Sequence, residues 1–74
     1  MYHPNLVLTL VEVTAATVRR GDLLEIGQRE FKVDHAQNMP GGGKRVYFDT
    51  GEAFLMCTGT RLFAMRPVQP AGRV

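Results

Sequence analysis

Seventy-four residues, 45% of them hydrophobic, with a net charge of +2 make one domain near the lower size limit for a chain that folds unaided. This balance is far from that of disordered chains, and no apolar run approaches the roughly 18 residues of a membrane-spanning helix. The single cysteine, Cys57, leaves no internal disulfide, and with only two histidines there is no zinc-ligand spacing.

The first predicted element is a strand over residues 6–13, LVLTLVEV. It is apolar, but it lacks the basic flank and small-residue cleavage site of a signal peptide, and Glu12 interrupts it. Arg20-Gly21-Asp22 then reads as a turn in which Gly21 takes a positive φ and Asp22 bonds a neighbouring amide. Strands over 22–27 and 30–36 follow, broken by Gly27-Gln28. A four-residue connection over 27–30 sets Ile26 against Phe31, Leu24 against Val33 and Glu25 against Lys32. A two-residue turn would oppose Glu25 to Glu30, so the longer loop is expected.

Next comes Asn38-Met39-Pro40-Gly41-Gly42-Gly43-Lys44-Arg45, superficially a phosphate-binding loop. The P-loop needs a glycine where Asn38 stands, a serine or threonine where Arg45 stands, and a following helix. Val46-Tyr47-Phe48 has strand composition instead, so this segment is expected to be a strand connection. Strands over 44–49, 52–57 and 60–66 complete the set, separated by Thr50-Gly51 and Thr58-Gly59. Short β-branched and aromatic runs between turn residues, with no helical periodicity, indicate an all-β fold: a single small barrel or sandwich of five to six antiparallel strands over residues 1–68. Residues 69–74 are expected to be a flexible tail.

If Thr50-Gly51 and Thr58-Gly59 are two-residue hairpin loops, Val46 faces Leu55, Phe48 faces Ala53, Leu55 faces Leu62 and Ala53 faces Ala64. The opposite side of the sheet then carries Arg45, Tyr47, Phe54, Met56, Arg61, Phe63 and Met65. A three-residue bulged loop would swap these partners. Charge is uneven as well, with residues 1–40 slightly acidic and residues 41–74 basic. The candidate site drawn from this pattern is Lys44, Arg45, Tyr47, Phe54, Arg61 and Phe63, aromatic rings for stacking bases edged by cations for phosphates. Nucleic-acid binding is the favoured expectation. The alternative is a protein partner or a homodimer on the same methionine-rich aromatic face. Arg19, Arg20 and Arg29 could form a second basic edge, although exposed arginines near turns are more often simply solvated.

Catalysis has little support. His3 and His35 are isolated, Asp34 and His35 should point to opposite faces of a strand, and Cys57 is expected to be a small buried hydrophobe rather than a nucleophile. A non-enzymatic cytoplasmic binding module, with no cofactor, metal or membrane partner, is the expectation. The alanine-, valine-, arginine- and glycine-rich composition suggests a GC-rich bacterial source.

Over roughly residues 18–66 the chain resembles small SH3-like barrels, on Gly21-Asp22-Leu23-Leu24-Glu25-Ile26 followed by Phe31-Lys32-Val33. This pattern recurs in KOW-type and elongation-factor-P-like N-terminal barrels. The resemblance implies a strongly bent five- or six-stranded barrel and a role in nucleic-acid or protein binding. Gly41-Gly42-Gly43-Lys44 is a loose analogue of the loop that carries a modified basic residue in the elongation factor, and that role is not transferred.

Overall fold

A computed structural model describes residues 7–68. All six expected strands are present: β1 (Val7–Thr14), β2 (Leu23–Ile26), β3 (Arg29–Asn38), β4 (Lys44–Phe48), β5 (Ala53–Met56) and β6 (Arg61–Val68), with one 3-10 turn at Pro40–Gly42. They form a single antiparallel sheet in the order β1-β6-β2-β3-β4-β5. Among the described residues no ladder joins β5 to β1, so the sheet is not closed. His3 and the tail 69–74 lie outside the described residues.

The long strand β3 serves two halves of the sheet. Its first part pairs with β2, beside β6 and β1; its second part pairs with β4, beside β5. The register shifts between Val33 and His35, leaving Asp34 as the extra residue of a bulge, and such bulges bend a strand and reset its alternation. Val33 therefore points into the core while His35 joins the outer surface. A segment after β1 reinforces this corner: Gly21 N donates to Val33 O (2.9 Å) and Val33 N donates to Asp22 O (2.8 Å).

The core collects alternate residues from every strand: Val13, Leu24, Phe31, Val33, Val46, Phe48, Met56 and Ala64, with Ala15 and Val18 from the β1–β2 connection. Phe31 and Phe48 stack with ring centroids 4.8 Å apart. Burying such side chains is the main driving force, on the order of 1.5–3 kcal/mol each.

Two expected registers are corrected, each by one turn. Gly27 and Gln28 both take positive φ (58° and 69°), the conformation of a two-residue type I′ hairpin. Leu24 consequently faces Phe31, and Glu25 faces Glu30. Both carboxylates are exposed, where water screens their repulsion, whereas Leu24 and Phe31 gain a shared buried contact. Charge pairing was the weaker of the two effects.

At the next hairpin Phe48 N donates to Glu52 O (2.9 Å) and Gly51 N to Phe48 O (3.0 Å). Gly51 has φ 92°. This is a three-residue loop over Asp49-Thr50-Gly51 with a glycine bulge, and it moves the register by one: Val46 faces Phe54 and Tyr47 faces Ala53. The expected β5–β6 hairpin does not form. Thr60 N bonds Cys57 O (3.0 Å) in a turn, after which β6 leaves the edge and inserts between β1 and β2. Leu55 opposite Leu62 and Ala53 opposite Ala64 are therefore not realised.

The glycine run is the strand connection expected of it, and its composition has a packing reason. Gly41 and Gly42 have φ 84° and 92°, favourable only without a side chain. Gly43 has an ordinary φ, but a Cβ there would lie 2.7 Å from Met56 O. The run lets the β3–β4 connection close against the end of β5.

Candidate interaction surfaces

The six residues nominated from sequence do not form one platform. Phe54 turns inward, opposite Val46, and packs against the core. Tyr47 and Arg45 lie on the outer side of β4; Lys44 starts that strand, half-buried. Phe63 and Arg61 lie on the outer side of β6, in the other half of the sheet. Met56, expected beside them, is fully buried. The separation follows from the two changes above: the bulged loop swapped the faces of β5, and β6 paired with β1 and β2 instead of β5.

The structure instead has two distinct outer surfaces. The first is on the β1-β6-β2 half. Leu10 faces Met65, Met65 faces Leu23 across the next ladder, and Glu12 faces Phe63. Alternation brings Leu8, Leu10, Leu23, Phe63 and Met65 to one side. Three of them are largely solvent-exposed: Leu8 at 55%, Leu10 at 62% and Phe63 at 53%. A shallow depression of about 140 Å³ lies among Leu10, Leu23, Phe63 and Met65, with Glu25 and Glu30 in its wall. Glu12 completes an acidic border. Lys32, opposite Leu23, and Arg61, two residues before Phe63 on β6, are cations on this side.

The second surface is on the outer side of β3-β4-β5. His35 faces Tyr47, with ring centroids 4.6 Å apart and 17° between planes. Tyr47 Oη donates to Gln37 Oε1 at 3.4 Å, and Arg45 lies opposite Gln37 and Leu55. His35 Nδ1 donates to Asp34 Oδ2 at 2.9 Å. The expectation that neighbouring Asp34 and His35 point apart is corrected by the bulge between them. Sequence reasoning also missed the His35–Tyr47 stack, because it spans two strands whose register depends on that bulge.

Between the halves sits a buried ion pair with no sequence signal beyond the turn at Arg20-Gly21-Asp22. Asp22, 1% exposed, accepts from Arg66 Nε (2.8 Å) and Nη2 (2.9 Å), and from the Arg19 amide (2.9 Å). Arg66 Nη2 also donates to Thr17 O (2.9 Å). The hydrogen bonds to Asp22 hold the Arg66 pKa above its ordinary value, outweighing the opposite push of burial. Gly21 has φ 91°, so the turn has the conformation expected for it. Arg66 is thus a structural cation, and Arg29 is engaged as well, 3.6 Å from Glu52 and over the Phe31 ring.

Cys57 is exposed, correcting its expected burial; it belongs to the turn that leads β6 away from β5. His35 is bonded to Asp34. No helix among the described residues is long and apolar enough to cross a membrane. Comparison with protein-family models, with curated proteins and with solved structures found no match to this chain.

Proposed function

We propose that this chain is a non-enzymatic protein-interaction module that uses the outer face of its β1-β6-β2 half to bind a segment of apolar and basic character. One observation carries the reading: Leu8, Leu10 and Phe63 are each more than half exposed and adjoin Met65 and Leu23 on one continuous side. Antiparallel strands with one buried face ordinarily carry polar residues on the other. A contiguous apolar patch rimmed by charge is the usual mark of a contact surface. The rim of Glu12, Glu25 and Glu30 outnumbers the two cations on that side, Lys32 and Arg61, and so favours lysine or arginine over phosphate in the partner. On that balance Phe63 is assigned to a protein partner rather than to nucleic acid. The exposed Cys57 thiol fits a reducing, cytoplasmic setting, and protein binding is one of the roles the SH3-like resemblance implies.

The test is a titration with a short amphipathic leucine–lysine peptide, followed by NMR at the Phe63 ring and the Met65 methyl. Both signals are expected to shift, and Phe63→Ala should remove binding while the circular dichroism spectrum stays unchanged. Saturating peptide that leaves both signals in place would refute the proposal. A second reading rests on the other face, where the Tyr47–His35 stack beside Arg45 offers a small platform for single-stranded nucleic acid. It predicts that oligothymidine shifts Tyr47 and His35 with an affinity that falls steeply with salt.

A further inference from the structure

The free edge of β1 carries an inference independent of that face. β1 is eight residues long and pairs with β6 on one side; on its other side none of the described residues pairs with it. The direction of its unused backbone groups can be worked out. Thr14 N donates to Thr17 Oγ1 (2.9 Å), and Thr14 O accepts from Thr17 N (3.0 Å) and Val18 N (2.9 Å). Thr14 therefore directs both its backbone groups away from β6. In an antiparallel ladder each residue sends its N–H and C=O to one side and its neighbour sends them to the other. Leu8, Leu10 and Glu12 accordingly present theirs along the free edge.

Exposed edges are normally blunted by lysine, proline, a bulge or shortness. The opposite edge of this sheet, β5, is four residues long. β1 has none of these protections: its sequence, Val-Leu-Thr-Leu-Val-Glu-Val-Thr, contains one charge, Glu12.

We propose that β1 pairs antiparallel with β1 of a second copy of the chain, about a two-fold axis at Leu10. This register is self-complementary. Leu10 meets Leu10 of the second copy, Val7 meets Val13, Thr9 meets Val11 and Leu8 meets Glu12, so seven residues of each strand pair. Inner residues meet inner residues, and the exposed Val7 (45%) gains an apolar neighbour. The two Glu12 carboxylates stay roughly 14 Å apart, given about 3.4 Å of rise per residue. Moving the axis to Val11 would halve that separation, and moving it to Thr9 would run the ladder beyond the described strand. A second copy also answers a size problem, since domains this small often gain stability by association. Pairing would join the two apolar outer faces at Leu10 into one band.

Sedimentation equilibrium of the full chain, with no partner present, tests the contact separately from peptide binding. The expected result is a reversible dimer that Leu10→Lys converts to monomer with an unchanged circular dichroism spectrum. To fix the register, Leu10→Cys and Leu8→Cys are each oxidised in a Cys57→Ser background. Leu10→Cys should cross-link, because the two Cα atoms of such a pair lie within disulfide reach, and Leu8→Cys should not. A native chain that remains monomeric at millimolar concentration would overturn the proposal. So would a dimer that survives Leu10→Lys, or one in which both cysteines or neither cross-link.

Discussion

The outer faces of the two halves of the sheet come from the same two-residue alternation, yet they differ chemically. On the β1-β6-β2 side alternation brings out Leu8, Leu10, Leu23, Phe63 and Met65, with carboxylates at the border. On the β3-β4-β5 side it brings out Arg45 and the set His35, Tyr47 and Gln37, in which Tyr47 stacks on His35 and bonds Gln37, with Leu55 the large apolar residue. The second face follows the polar-outside rule of half-solvated sheets; the first breaks it. A strand set that buries Val13, Leu24 and Ala64 on its inner side has no folding reason to hold leucines and a phenylalanine in water. That departure from the rule is the basis on which a partner is proposed for that face.

The comparison breaks most severely if the support beneath the apolar face is removed. Asp22→Ala leaves Arg66 and the Arg19 amide without their buried acceptor and is expected to cost about 3–5 kcal/mol in urea unfolding, with Asp22→Asn costing less. No pH dependence should accompany this through Arg66. A group whose pKa is raised on folding loses its stabilising effect only as pH climbs through that raised value, and for Arg66 that value lies above the already strongly alkaline range of an ordinary guanidinium. The cost of Arg66→Gln should therefore be the same at neutral and mildly alkaline pH.

The polar half is tested by its glycines. Gly43→Ala would place a methyl 2.7 Å from Met56 O and should cost roughly 1–3 kcal/mol through overpacking. Gly51→Ala meets no atom within 4 Å, but at φ 92° it should cost about 1–2 kcal/mol through backbone strain alone. Thermal melts of the two variants separate steric from conformational cost. At the β2–β3 turn the change has the opposite sign: Gln28, the one non-glycine residue at positive φ among the described residues, should gain up to about 1 kcal/mol when changed to glycine.

The smallest stability effect is the most informative about function. Phe63→Ser should move stability by no more than about 0.5 kcal/mol, as expected of an exposed position, and yet remove peptide binding. Tyr47→Ala should cost about 0.5–1.5 kcal/mol by deleting the ring stack without touching that binding. If Phe63→Ser unfolded the chain, the contrast between the faces would dissolve and Phe63 would belong to the core.

Much of the fold was legible because its signals are local. Gly27-Gln28, the glycine run at 41–43, Thr50-Gly51 and Thr58-Gly59 interrupt short apolar runs, and every strand boundary fell within two residues of the expected one. The candidate site was legible only in pieces. Phe63, Tyr47 and Arg45 were placed on the side of the sheet opposite Val46 and Ala64, with no decision between an exposed face and a second core face, and they lie on that side. Phe54 does not, because its face depends on whether the loop before it holds two residues or three, and that choice rests on Gly51 adopting a positive φ. Leu8 and Leu10 were assigned to neither face, because nothing in LVLTLVEV says which of its two sides lies on the core.

By itself the sequence determined the class of the fold, the number and approximate limits of its strands and the positions of its turns, since each depends on residues within a few positions of one another. Only the tertiary structure decided that β6 lies between β1 and β2, that Asp22 meets Arg66 across 44 residues, and that the surplus apolar side chains are split between core and surface. Those outcomes depend on pairing distant segments, where an error of one residue in a loop reverses every side chain that follows. The energy that selects one pairing over another is shared across the whole packed core and belongs to no short stretch of chain.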